Sequence, residues 1–208
     1  MPSNRSINQL DPTMTAPWTE PAPLPDITGG ETNLLPRSAW SDPANPLRVE
    51  FKPWYDHPVG SGKTESISVF LDDDESNEIG YGEWTLPMSP DEHYVEISAE
   101  KLPQGEHQLS FIMTNYIGAR ARSYPFTVTV DKQAPQLNAS SQLIFPGIVS
   151  PPNAITAAYL ADPDNHNQVL ARVPDYLEKK VGDVITWYWE KSPGGRDVAG
   201  SKILEPKD

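Results

Sequence analysis

Cysteine is absent from all 208 residues. That excludes a disulfide framework and a thiolate metal site together. No apolar run approaches the roughly 20 residues that a membrane-spanning helix needs, and no segment keeps a 3.6-residue apolar period for long. The opening stretch MPSNRSINQLDPTM has no apolar core, so no secretory signal peptide is expected. Positive charge is scarce: 16 Lys and Arg stand against 29 Asp and Glu, a formal net charge of −13. Such a surface repels phosphate backbones and argues against general nucleic-acid binding. Catalytic patterns are missing as well. His57, His93, His107 and His166 share no ligand spacing, and no G-x-S-x-G elbow occurs. Paired carboxylates are common in any acidic chain and select for nothing. The chain reads as non-enzymatic.

Proline is abundant, at 23 residues. It breaks helix interiors but suits short strands and ordered loops. Nine of these prolines fall in residues 1–46, with Trp18 and Trp40 as isolated aromatics. That density favours extended, polyproline-like chain. The segment reads either as a solvated tail or as an arm laid along another surface, anchored by Trp18, Leu34, Leu35 and Trp40.

From Leu47 the pattern becomes regular. Leu47, Val49 and Phe51 alternate with Arg48, Glu50 and Lys52; Ile67, Val69 and Leu71 alternate with Ser66 and Ser68. Strands are also expected at Tyr81 to Leu86 and Tyr94 to Ser98. Two longer ones follow: Leu109, Phe111 and Met113 mark the first, and Phe126, Val128 and Val130 the second, with a Gly/Arg turn between them. Period-2 alternation places one face of each strand in a core and the other in water. Six or seven such strands in about 90 residues make an antiparallel sandwich. After Pro135 the expected strands are Gln142–Phe145, Ile155–Leu160, Val169–Val173, Val184–Trp189 and Ser201–Leu204. The fold expected is all-β: a Pro-rich extended arm (1–46), one β-sandwich (47–136) and a second, short or incomplete β-module (137–208). Net charge divides unevenly over the three, at −3, −8 and −2.

The middle segment resembles the immunoglobulin-like repeats of bacterial surface proteins. The residues that carry the likeness are Gly105, the strand to Tyr116, Gly118, Phe126 to Val130, then Asp131, Ala134 and Pro135. The next segment is similar to an immunoglobulin-like module of large repeat proteins in Gram-negative bacteria. That module carries V-P-x-Y…G-D-x-I-x-x-x-W, matched by Val173, Pro174, Tyr176, Gly182, Asp183, Ile185 and Trp189. The resemblance spans roughly residues 47–190 and marks architecture; neither motif carries an active site.

Four motifs carry possible chemistry. HPVGSGKT (57–64) ends like a phosphate-binding loop, but His57 stands where the first glycine belongs and a strand follows where a helix is needed. It reads as a solvated hairpin loop. Asp72, Asp73, Asp74 and Glu75, with Glu78, could offer oxygens to Ca²⁺. The run lacks the D-x-[DN]-x-[DN]-G pattern, so an acidic loop keeping a strand end soluble is the preferred reading. The loop 162–167 (DPDNHN) is a second calcium candidate, and a turn is its ordinary explanation. Trp84, Trp187, Tyr188 and Trp189 could form a sugar-stacking platform. Alternation groups Trp187 and Trp189 with Ile185, as core residues, and leaves Tyr188 on the opposite face.

The function expected is structural or adhesive, with a surface presented to a protein or a glycan. Trp18, Trp40, Trp84 and Tyr188 are the binding candidates. The open edge at Val184–Trp189 and the arm would be the association elements. A virion or injection-particle component (a capsid decoration or tail protein) and a carbohydrate-binding module are the alternatives. No cofactor is called for beyond the calcium candidates. The sequence does not fix the compartment; a bacterial cell surface or secretion by a non-classical route, or a virion, is compatible with it.

Overall fold

The computed structural model describes residue 10 and residues 13–54, 62–137, 141–191 and 195–207. The protein is all-β, with antiparallel sheets and two short helices among the described residues. It divides into two compact units, Met1–Lys132 with Glu205–Asp208, and Gln133–Leu204. No helix among the described residues is long and apolar enough to cross a membrane.

Two sheets build the first unit. One has three strands in the order β1 (Trp18–Glu20), β2 (Leu47–Glu50) and β5 (Tyr94–Ile97). The other runs β4 (Glu78–Thr85), β3 (Thr64–Leu71), β6 (Gly105–Thr114) and β7 (Arg120–Arg122), with β8 (Phe126–Val130) paired to the first half of β6. Every pairing of named strands is antiparallel. The alternating apolar positions close a single core between them. Leu47, Val49, Val95 and Ile97 come from the first sheet; Ile67, Val69, Leu109, Phe111, Val128 and Val130 come from the second. All ten are at most 3 % exposed, and at about 25 cal/mol per Å² such burial is the main stabilising term.

The Pro-rich segment is part of this unit. Its strand β1 pairs with β2, Trp18 lying opposite Glu50. Further on, Leu34 makes a parallel bridge to Thr129 at the border of the other sheet. Met14, Leu35 and Ala39 (the last in helix α1, Ser38–Ser41) are buried in the common core. The segment therefore touches both sheets.

The acidic run follows β3. Asp72 and Asp73 both have positive φ, 54° and 60°, and the Asp74 N–H donates to the Leu71 carbonyl at 3.0 Å. Two consecutive left-handed residues inside an i to i+3 bond have the form of a type I′ turn, which aspartate tolerates better than most side chains.

The second unit has less core. Val149 and Leu204 are its only buried apolar side chains among the described residues. Its regular sheet among the described residues is the hairpin β9 (Val184–Lys191) with β10 (Gly195–Ile203), whose register shifts between Val198 and Gly200. Three expectations change here. Ile155–Leu160 is not a strand: Ala157–Ala161 forms helix α2, capped by Thr156, whose Oγ1 accepts the Tyr159 N–H at 3.1 Å. A cap followed by Ala-Ala-Tyr-Leu-Ala favours the helix locally. The strands expected at 142–145 and 169–173 reduce to one antiparallel bridge between Ile144 and Arg172. The short strand expected at 201–204 begins six residues earlier, at Gly195, because β9 supplies the pairing that its polar sequence does not advertise.

Candidate functional site

The four aromatic binding candidates occupy different settings. Trp84 packs against the first unit's core, its ring 5.4 Å from Phe51 in an edge-on arrangement, and lies across Gly82. Trp40 also leans on that core. Trp18 stands on the outward side of β1, 39 % exposed, and its indole N–H donates to Glu50 Oε2 at 2.7 Å. Tyr188 belongs to the second unit and is 52 % exposed. Trp18, Trp40 and Trp84 belong to the first unit.

The acidic loop is held by cations of the protein itself. Arg122, with a side chain only 5 % exposed, contacts Asp73 Oδ1 at 2.7 Å and Glu75 Oε1 at 3.4 Å. Arg120 reaches the other Glu75 oxygen at 3.1 Å. Asp72 faces away from these, accepting the Gln108 N–H at 2.8 Å and lying 2.6 Å from His107 Nδ1. Asp74 accepts from the Ser76 amide and hydroxyl. Asp73 and Glu75 thus share Arg122, while Asp72 and Asp74 each have partners of their own. Among the described residues no group of three or more His, Asp or Glu side chains is arranged to hold a metal ion. In the 162–167 loop, Asp162 caps a single 3-10 turn by accepting the Asp164 N–H at 3.0 Å. In the glycine-lysine stretch, residues 57–61 lie outside the described residues, and the Lys63 ammonium sits 3.8 Å from the centre of the Tyr116 ring.

Shifted ionisations are few and scattered. The Asn45 amide and the Ala44 N–H hold Asp42 below the usual carboxylate value, and the Ser89 hydroxyl does the same for Asp91. Burial raises Asp72, but the bonds from His107 and Gln108 outweigh it and leave it lowered. A bond to Glu83 raises Tyr81. Burial, with the Asp183 carboxylate beside it, pushes Tyr176 up to about 12. Among the described residues each of these shifts has a local partner.

The apolar surface is more informative. On the β9–β10 hairpin, Val184 lies opposite Ile203 and Tyr188 opposite Val198. Directly opposed residues share a face, so these four lie on one face as two apolar pairs, with the Thr186–Ser201 pair between them. Their exposures run from 52 % to 65 %. On the reverse face Trp187 lies over Gly200, where an added Cβ would fall 2.6 Å from the indole. Glycine at 200 is what lets that ring lie flat, and the ring is half-buried by its own hairpin. Trp189, expected in a core with Trp187, is 57 % exposed. It lies opposite Asp197, which cannot shield it as Gly200 shelters Trp187. The hairpin pairs with no further strand among the described residues.

Comparison with protein-family models, curated proteins and solved structures returned no match.

Proposed function

We propose that the chain is a non-enzymatic, immunoglobulin-like β protein with two tandem modules, and that its second module presents an apolar ribbon to a protein partner. The observation that carries this reading is the patch of Val184, Tyr188, Val198 and Ile203, exposed on a two-stranded hairpin. Isolated hairpins are marginal in water, and exposed apolar side chains gathered on one face of a strand pair offer a surface for a partner to cover. A partner strand added along β9 or β10 would supply main-chain hydrogen bonds, while the patch would supply apolar burial. The scattered, locally explained ionisations support a role without catalysis. The resemblance to bacterial surface repeats supports an adhesive setting for such a ribbon.

The test is attachment. Beads coated with the full chain are scored for binding to bacterial and host cells, beside beads bearing Tyr188→Lys or Val198→Lys. Loss of attachment in both variants, with unchanged circular dichroism, is the expected result. Equal attachment by all three proteins would remove the ribbon from the function.

A further inference from the structure

The outward face of the β1–β2–β5 sheet carries a row of three side chains that the strand register sets side by side. Trp18 is opposite Glu50, and Glu50 is opposite Tyr94. The neighbouring row on the same face is Glu20, Arg48 and Glu96. The inner face of these strands holds Val49 and Val95, so the sheet itself is anchored by the core. Two interactions stiffen the outward rows. The Trp18 indole N–H donates to Glu50 Oε2 at 2.7 Å, fixing the plane of a ring that stays 39 % exposed. The Arg48 guanidinium carbon lies 4.4 Å from the centre of the Tyr94 ring, with its Nε 3.6 Å from Glu96. Beyond the strand end, Lys52, with Asp91 from the turn before β5, helps to close a cleft of about 250 Å³ over these residues.

We infer that this cleft is a binding site for a single neutral sugar ring, gripped by the row Trp18–Glu50–Tyr94. Charge decides the ligand class. Two carboxylates, Glu50 and Asp91, stand with two cations, Arg48 and Lys52, beside the His93 ring, so the lining has no strong preference for a cation or an anion. It offers carboxylates that accept hydroxyl protons, and a guanidinium and an ammonium that donate to ring and hydroxyl oxygens. A sugar ring needs both kinds of group, together with a flat apolar surface for its C–H face, and Trp18 supplies that surface. Hydrogen bonds between charged groups and hydroxyls belong to the stronger class. The Trp18–Glu50 bond lowers the entropy cost of ligand binding, because the indole is already oriented.

This inference gives the adhesive reading a ligand class and rests on that reading for its setting, yet it uses a different unit from the ribbon. The two can therefore fail separately. The full chain is titrated with glucose, galactose, mannose, N-acetylglucosamine and their disaccharides, followed by calorimetry and tryptophan fluorescence. Choline and sialic acid serve as cationic and anionic comparators. A saturable signal with a neutral sugar is expected, weakened about tenfold or more in Trp18→Ala and in Glu50→Gln. Because Trp18 lies on a strand, Asp91→Ala and Lys52→Ala are measured too; they sit outside the strands and should weaken the same sugar with the melting temperature unchanged. Tyr188→Lys should bind sugar as the parent does. Absence of any neutral-sugar signal would overturn the inference. So would affinity retained in all four cleft variants, or preference for choline or sialic acid.

Discussion

The backbone N–H of Leu35 donates to the Thr129 carbonyl at 2.8 Å, and the Thr129 N–H returns a bond to Asn33 at 3.0 Å. Thr129 Oγ1 adds a third bond, to the Thr32 carbonyl at 2.6 Å. A proline-rich segment thus caps the border of β8, where unpaired strand groups would otherwise invite other chains. Between those bonds the Leu35 side chain enters the core at 2 % exposure. Leu35→Ala should cost about 2–5 kcal/mol, as buried leucines do. Removing residues 1–46 takes away β1, this border and three core side chains together, and should abolish cooperative unfolding of the first unit. Urea denaturation followed by fluorescence checks both; a truncated chain as stable as the parent would mean that the segment is only a tail.

Legibility followed burial. Ile67–Val69–Leu71 and Leu109–Phe111–Met113 show in the sequence the side of each strand that faces the core, whereas Phe70 and Ile112, on the other face, are buried as well and break the alternation. Leu34 and Leu35 gave no such sign, since proline around them erases any period and their bonds come from Thr129, remote in sequence. The wet face of β2 was readable in Arg48 and Glu50, but Trp18 and Tyr94 reach it only through pairing. In β10 the run GRDVAGSKI has the composition of a loop; β9 makes it a strand. Trp189 misled because alternation assigns a face and does not say whether anything covers that face.

Gly80 sets how closely the two sheets approach. A Cβ there would lie 2.3 Å from Ile97 Cδ1 and 2.9 Å from Val95 Cγ1, both fully packed. Valine at this position has no rotamer that avoids them. Gly80→Val should therefore destabilise by about 1–3 kcal/mol, the usual range for overpacking. Gly118 is the control: it has no atom within 4 Å of an added Cβ, so Gly118→Asn should cost only the backbone strain of a side chain at φ +80°, less than the Gly80→Val loss. Thermal melts of both variants decide it. Equal effects would mean that close sheet approach is not what Gly80 provides.

Arg122 is buried, while Asp73, its closest partner, is 73 % exposed. Removing the acids leaves a guanidinium in the protein without its counter-charge, which costs more than removing the whole pair. Asp73→Asn with Glu75→Gln, which removes both charges and keeps a residue that tolerates the left-handed turn, should lose about 1–3 kcal/mol, a figure reduced from that of fully buried pairs because solvent reaches the carboxylates. Arg122→Met, which keeps the apolar stem beside Ser110, should lose less than the double variant. Chemical denaturation of the two proteins at low salt gives the order, and the reverse order would contradict the argument.

Tyr176 donates its hydroxyl to Asp183 Oδ2 at 2.9 Å, and the Lys180 N–H reaches the same oxygen at 3.0 Å. Both bonded side chains belong to the module signature read in the sequence, and Asp183 also accepts the Leu204 N–H through its backbone carbonyl. Burial first, then the carboxylate, raise the phenol from 10.0 to about 12. The fold holds the neutral phenol, so its contribution is complete below pH 10. It is lost as pH rises from 10 towards 12, because the unfolded chain can release the proton first. Thermal melts of the full chain across that window should show a falling transition for the second unit. Tyr176→Phe should remove this part of the pH dependence and cost about 1 kcal/mol at neutral pH. Ultraviolet absorbance titration supplies the independent reading: one tyrosine should ionise last in the parent and be missing from the variant. An identical high-pH slope in both proteins would show that the Tyr176–Asp183 bond does not hold that end of the hairpin.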